Sequence, residues 1–191
     1  MTPMILELLG TSVHLHALVQ DWRGAVRMSG QILLAAGGIE PAYIDAMERM
    51  VDEAGPYIVL TPGLALPHAR PGTWVRRACM GVLTLATPVR FGVLYNDPVS
   101  IIIPFAATDD VCHLEALSEL AWLLLQPEAV NRIKNAQSRV EVVALFGGDR
   151  DHLPGPGREE GTREESRDCG RVYAGAGNGA HPEDEPGISA G

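Results

Sequence analysis

The order of apolar patterns along this chain predicts a layered α/β domain. Three observations carry the prediction. Stretches with apolar residues three and four apart, the mark of half-buried helices, are interspersed with short apolar runs of strand length. Both kinds of segment are punctuated by Gly, Pro, Asn and Asp, the residues that end elements. The 191 residues are 46% hydrophobic and 20% charged, the profile of a chain that buries a core. That length suits one ordinary domain of roughly 100 to 150 residues.

In chain order, Met1 to Leu9 is a short apolar run without a cationic region before it, and no uninterrupted apolar stretch approaches the roughly 20 residues of a spanning helix. His14 and His16 alternate in the manner of strand residues and share one face. Asp21 can cap a helix running to about Ala36 and stopping at Gly37-Gly38, with Trp22, Ala25, Val26, Leu33 and Ala36 on one apolar face and Gly30 as a weak point. A second helix opens near Pro41, where a missing amide hydrogen costs nothing. It aligns Tyr43, Met47, Met50, Val51 and Ala54 and ends at Gly55-Pro56.

From there the period shortens. Tyr57 to Leu60 reads as a strand, Thr61-Pro62-Gly63 as a turn, and Leu64-Ala65-Leu66 as a short extended piece leading to His68. Ala78 to Ala86 and Val99 to Ala106 read as two further strands, apolar enough for a covered sheet, with a tight reversal at Asn96-Asp97-Pro98. Asp109 and Asp110 offer N-caps for an apolar helix to about Leu125, with Leu114, Leu117, Leu120, Ala121 and Leu124 inward and His113 in its first turn. Pro127 opens a short helix, and Ser138 with Glu141 forms a capping box for a last one ending at Phe146-Gly147.

From Gly147 on the composition changes: eleven of the 21 glycines lie there, with many acids and few large apolar residues, so no core can form. The expected organisation is a domain over residues 1–147 and an acidic, Gly/Pro-rich, disordered tail over 148–191. Net charge is −9, and residues 147–191, with ten acidic and five basic side chains, supply −5 of it. The body is mildly acidic with a single lysine, Lys134, which gives no electrostatic reason to bind nucleic acid or an anionic membrane. Cys79, Cys112 and Cys169 are odd in number and widely spaced, so neither a disulfide framework nor a zinc knuckle is suggested and a reducing, cytosolic compartment fits.

The segment with most chemistry runs from Pro62 to Pro71. Pro67 and Pro71 flank His68 and would hold its imidazole on a stiff, non-helical backbone. Arg70 could bring a planar cationic fork to phosphate oxygens beside it. An imidazole suits phosphoryl carriage because its ordinary pKa of roughly 6.5 leaves a neutral nitrogen as nucleophile. The loose transition state then asks the protein for alignment and charge stabilisation. On residue types alone, a histidine between prolines is most often a plain loop residue.

Gly63 followed by Leu64-Ala65-Leu66-Pro67-His68 resembles the phosphorylation motif of the mannitol/fructose-type enzyme IIA family of the phosphoenolpyruvate-dependent sugar phosphotransferase system. Asp21-Trp22 with Ala25-Val26, Tyr43 to Met47, Gly55 to Val59, His68 to Pro71, Asn96 to Val99, and Asp109 with His113-Leu114 resemble its ascorbate branch in order and spacing, over nearly all of residues 13–146. The resemblance implies a three-layer fold with a mixed β-sheet flanked by helices. It implies a cytoplasmic phosphoryl carrier with phosphate on Nε2 of His68, His113 beside that ring, the phosphocarrier protein HPr as donor, and a cysteine of a cognate IIB component as acceptor. A membrane IIC component would be served indirectly, with L-ascorbate as the sugar. The sequence departs from the branch at Gly72, where relatives carry an acid after Arg-Pro, and at Val93, where a histidine is common.

At a helix start, His113 would lie beside free amides and a positive dipole end that welcome phosphate; a buried, hydrogen-bonded histidine is the bland alternative. Arg70 and His113 are assigned to stabilising the phosphoryl group, and Gly63 to close approach of a partner. Cys112 reads as core, and tandem acids before an apolar helix read as caps, so no metal and no cofactor are expected. A regulatory module that senses phosphotransferase flux and controls a protein partner is the alternative function. No hydrolase elbow, Walker loop, dinucleotide fingerprint or DNA-binding helix pair is present.

Overall fold

The computed structural model describes residues 4–126 and 128–148. Its elements are α1 (Met4–Leu9), β1 (Val13–Ala17), α2 (Trp22–Ala35), α3 (Pro41–Ala54), β2 (Val59–Thr61), β3 (Leu64–Ala65), β4 (Cys79–Met80), β5 (Val82–Val89), β6 (Val99–Ile102), β7 (Phe105–Ala106), α4 (Asp110–Leu124), α5 (Ala129–Asn135) and α6 (Arg139–Phe146). Five strands form one sheet in the order β1-β5-β6-β3-β2, and β4 pairs with β7 in a separate two-stranded sheet. The main sheet is mixed: β1 with β5 and β3 with β6 run parallel, β5 with β6 and β2 with β3 antiparallel.

The strands are apolar on both faces because both are covered. Leu64, Leu66, Val82, Ile101 and Ile103 join a core with α1, α4, α5 and α6. The alternate residues Ala65, Leu83 and Ile102 join a second core with α2 and α3. Successive strand residues point to opposite faces, so the two cores lie on either side of the sheet and the fold has three layers, as expected. No helix among the described residues is long and apolar enough to cross a membrane.

Local chemistry sets the helix ends. Asp21 accepts from the Gly24 N–H at 2.8 Å and Asp109 from the Cys112 N–H at 2.9 Å. Pro41 opens α3, Gly55 closes it at φ +77, and Ser138 with Glu141 caps α6.

Several expectations need correction. Residues 78–86 form two strands, because at Gly81 the chain changes partners: its N–H donates to Pro104 O at 2.9 Å and the Val82 N–H to Ser12 O at 2.8 Å. A Cβ at Gly81 would lie 3.2 Å from Pro104 Cγ and 3.3 Å from Ser12 O. Residues 99–106 break likewise at Ile103-Pro104, where proline has no amide to continue the ladder. The apolar N-terminal run, to which the sequence assigns no element, is a helix, α1, held by burial of Ile5, Leu8 and Leu9. The inward face of α4 is Cys112, Ala116, Leu120 and Leu123, whereas Leu114 and Ala121 are exposed. Gly30 is no mere weak point. A Cβ there would stand 2.7 Å from Met47 Cε and 2.8 Å from Ile44 Cγ1, so its lack of a side chain lets α2 and α3 close together. The expected helix start at Pro127 and the tail beyond 148 lie outside the described residues.

Candidate active site

β3 and β6 run parallel and end at the same edge of the sheet. The chain leaves β3 there through Leu66 to Pro71, without regular structure. Pro67 and Pro71 have no amide hydrogen, so this segment cannot build its own ladder and its backbone bonds go elsewhere. The Leu66 N–H donates to Ile58 O at 2.7 Å, Pro67 O accepts from the Phe105 N–H at 3.0 Å, and the Ala69 N–H donates to the Tyr43 hydroxyl at 3.0 Å. His68 is therefore anchored on both sides, the stiff mounting expected from its prolines.

The imidazole itself is oriented. His68 Nδ1 lies 2.8 Å from Leu66 O. A carbonyl oxygen only accepts, so Nδ1 carries the proton, and in the neutral ring Nε2 keeps its lone pair. His113 enters from the first turn of α4, and the two ring centroids stand 5.4 Å apart with planes at 50°. Phe105 backs His113 at 5.3 Å. Tyr57 meets the His68 ring edge-on at 5.8 Å.

His68, Arg70 and His113, proposed from different parts of the sequence, all line one open cleft of about 520 Å³, with Met50, Tyr57 and Asp110. Burial pulls the His113 imidazole below its ordinary pKa, the neighbouring His68 adds to that, and Asp110 opposes it; the ring is neutral near pH 7. Burial raises the Tyr57 phenol against the pull of Arg70, so it stays protonated and able to donate. The cleft thus combines an imidazole of fixed orientation, a guanidinium and neutral donors, a set suited to a group that arrives and leaves as an anion.

One expected contribution is used up. The Cys112 amide donates to the Asp109 carboxylate and the His113 amide to Asp109 O at 3.0 Å, so those first-turn N–H groups are taken. Gly63 sits at φ +81 in the turn before β3, its N–H donating to Asn96 O at 2.8 Å; the left-handed turn accounts for the glycine. From sequence alone Tyr57 reads as a strand residue, Met50 as part of a helix stripe and Asp110 as a cap. Only tertiary packing gathers them, and no local spacing marks them.

The sequence model of the family "Phosphoenolpyruvate-dependent sugar phosphotransferase system, EIIA 2" matches residues 8–147. An ascorbate-specific PTS system EIIA component of Shigella boydii is 36% identical over 136 residues, 71% of this chain and 88% of the relative. The solution structure of the mannitol-specific cryptic phosphotransferase enzyme IIA of Escherichia coli superposes with TM-score 0.68 at 28% identity, covering 75% of this chain and 99% of the other. A complex of enzyme IIA-mannitol with phosphorylated enzyme IIB-mannitol from Escherichia coli shares the fold, with TM-score 0.65 at 24% identity over 74% of this chain and 98% of that one. With a cleft that presents an oriented imidazole, a family match over most of its length and that close a relative, the chain belongs to the EIIA 2 family and is a phosphotransferase component of the phosphoenolpyruvate-dependent sugar phosphotransferase system.

Proposed function

We propose that His68 carries the phosphoryl group, taking it from phospho-HPr and passing it to a cysteine of a cognate IIB component in the cytoplasm, for uptake of L-ascorbate through a membrane IIC component. The observation that carries the reading is the Nδ1 contact with Leu66 O, which leaves Nε2 as the nucleophile of a ring lining an open cleft. In the first transfer the Nε2 lone pair attacks phosphorus, and the bond from phosphorus to the donor atom breaks with its electrons on the donor. The ring then bears phosphorus at Nε2 and the proton at Nδ1, so it is cationic. When the acceptor thiolate attacks, it leaves as neutral imidazole, and Leu66 O holds the Nδ1 proton throughout. Arg70 and His113 are the groups placed to take up charge on the phosphoryl oxygens.

What supports ascorbate as the sugar is the likeness to a relative described as ascorbate-specific, at 36% identity. The test is incubation with phosphoenolpyruvate, Enzyme I and HPr. The protein is expected to gain an acid-labile, base-stable phosphate that His68→Ala abolishes; a label surviving that change refutes the assignment. Adding the IIB components of the ascorbate and mannitol systems in parallel then reports which one discharges it.

A further inference from the structure

We infer that Tyr43 is a positioning residue for phosphoryl transfer, its hydroxyl holding the backbone beside His68 and that of Phe105, whose ring packs on His113; the inference rests on the reading of His68 given above. Tyr43 stands on α3 with 0% exposure, and its helical spacing does not set it apart from its apolar neighbours. Its hydroxyl accepts from the Ala69 N–H at 3.0 Å and lies 3.1 Å from Ala69 O and 2.9 Å from Phe105 O. A phenol has one proton to give, so it donates to either carbonyl in turn while accepting the amide. Burial raises its pKa far above neutrality, so that proton stays on.

What it touches gives this bond its consequence. Ala69 is the residue after His68, in a segment whose prolines deny it a ladder. Phe105 binds Pro67 O through its amide and packs its ring on His113. One hydroxyl therefore ties α3, the His68 segment and β7 together; the His68 ring is mounted on one of the tied pieces, and the His113 ring of α4 packs on Phe105 of another. Loosening it lets the His68 segment shift and weakens the Nδ1 bond to Leu66 O, which selects Nε2 as the free nitrogen.

Tyr43→Phe keeps the ring and removes only the hydroxyl. By 15N NMR the His68 ring of the native protein is expected to carry its proton on Nδ1, and that of Y43F to be a mixture of tautomers. The kcat/KM for phosphoryl acceptance is expected to fall about tenfold to a hundredfold, the scale of a reacting atom misplaced by about 1 Å. Leu33→Ala opens a cavity in the same helical layer, where Leu33 is 0% exposed, and serves as the stability control; it is expected to keep the native tautomer. A folded Y43F with native tautomer and native kcat/KM overturns the inference, as does an equal change in Leu33→Ala. Hydrogen exchange on the native protein gives a test that does not need the variant to fold. The Ala69 amide is expected to exchange as slowly as the amides of β6, and exchange at the rate of an exposed loop overturns the proposal. Failure of the underlying reading looks different, for then the native protein takes no phosphate on His68 at all.

Discussion

His68 and His113 share a cleft but are treated differently by the fold. Leu66 O fixes the tautomer of the first, whereas burial, helped by the first ring, keeps the second neutral. Because the folded protein resists charging His113, stability is expected to be unaffected by this residue above its ordinary pKa of roughly 6.5 and to be lost as pH falls through that value, where only the unfolded chain takes the proton. Urea unfolding at several pH values checks this: the native protein should weaken more between pH 7.5 and 5.5 than His113→Gln. In an NMR titration, His68→Ala should move the His113 midpoint upward, since one cause of its depression is gone. His113→Ala should still be labelled by phospho-HPr but pass the phosphate on poorly. Arg70→Gln should slow labelling roughly tenfold, less than removal of a buried donor would, because Arg70 is exposed to solvent.

Among the elements, the α2–α3 contact and the loop before β6 carry the clearest consequences. Gly30→Ala must push a methyl group against Met47 and Ile44, and it is expected to destabilise by about 1–3 kcal/mol in urea unfolding, the usual scale of overpacking. In the loop, the Asp97 carboxylate accepts from the amides of Phe91, Gly92 and Val93. Burial alone would raise its pKa, but those bonds hold it below the ordinary carboxyl value. Asp97→Ala should therefore lower stability near neutral pH and flatten the acid loss of stability that begins as pH drops through the carboxyl range. Caps such as Asp21, Asp109 and Ser138 were legible in the sequence because a cap is a bond between residues two or three apart. The splitting of residues 78–86 was not, since it depends on Ser12 and Pro104 meeting Gly81 across the fold. His68 and Arg70 could be read from their prolines, and His113 from a family motif. Tyr57 and Tyr43 could not, because a tyrosine in an apolar run looks the same whether its ring or its hydroxyl does the work.

Across the whole molecule, the mixed sheet separates two cores and brings the ends of β3 and β6 to one edge. There a segment without its own ladder is gripped by Ile58, Tyr43 and Phe105. Rigidity at His68 is thus a product of α3, the turn before β2 and β7 acting together, while the cleft in front of it stays open to a second protein. A chain ending at Gly148 is expected to melt at the same temperature and accept phosphate at the same rate as the full chain, because the family match ends at residue 147 and the sequence beyond has few large apolar residues with which to build a core; calorimetry and a labelling time course check both. The central claim is that one nitrogen of one imidazole is held ready for phosphorus. Its most direct test is 31P and 15N NMR of the protein phosphorylated through phosphoenolpyruvate, Enzyme I and HPr. The phosphorus is expected on Nε2 of His68 with the proton still on Nδ1, and phosphorus on Nδ1 of His68, or on His113, would contradict the account.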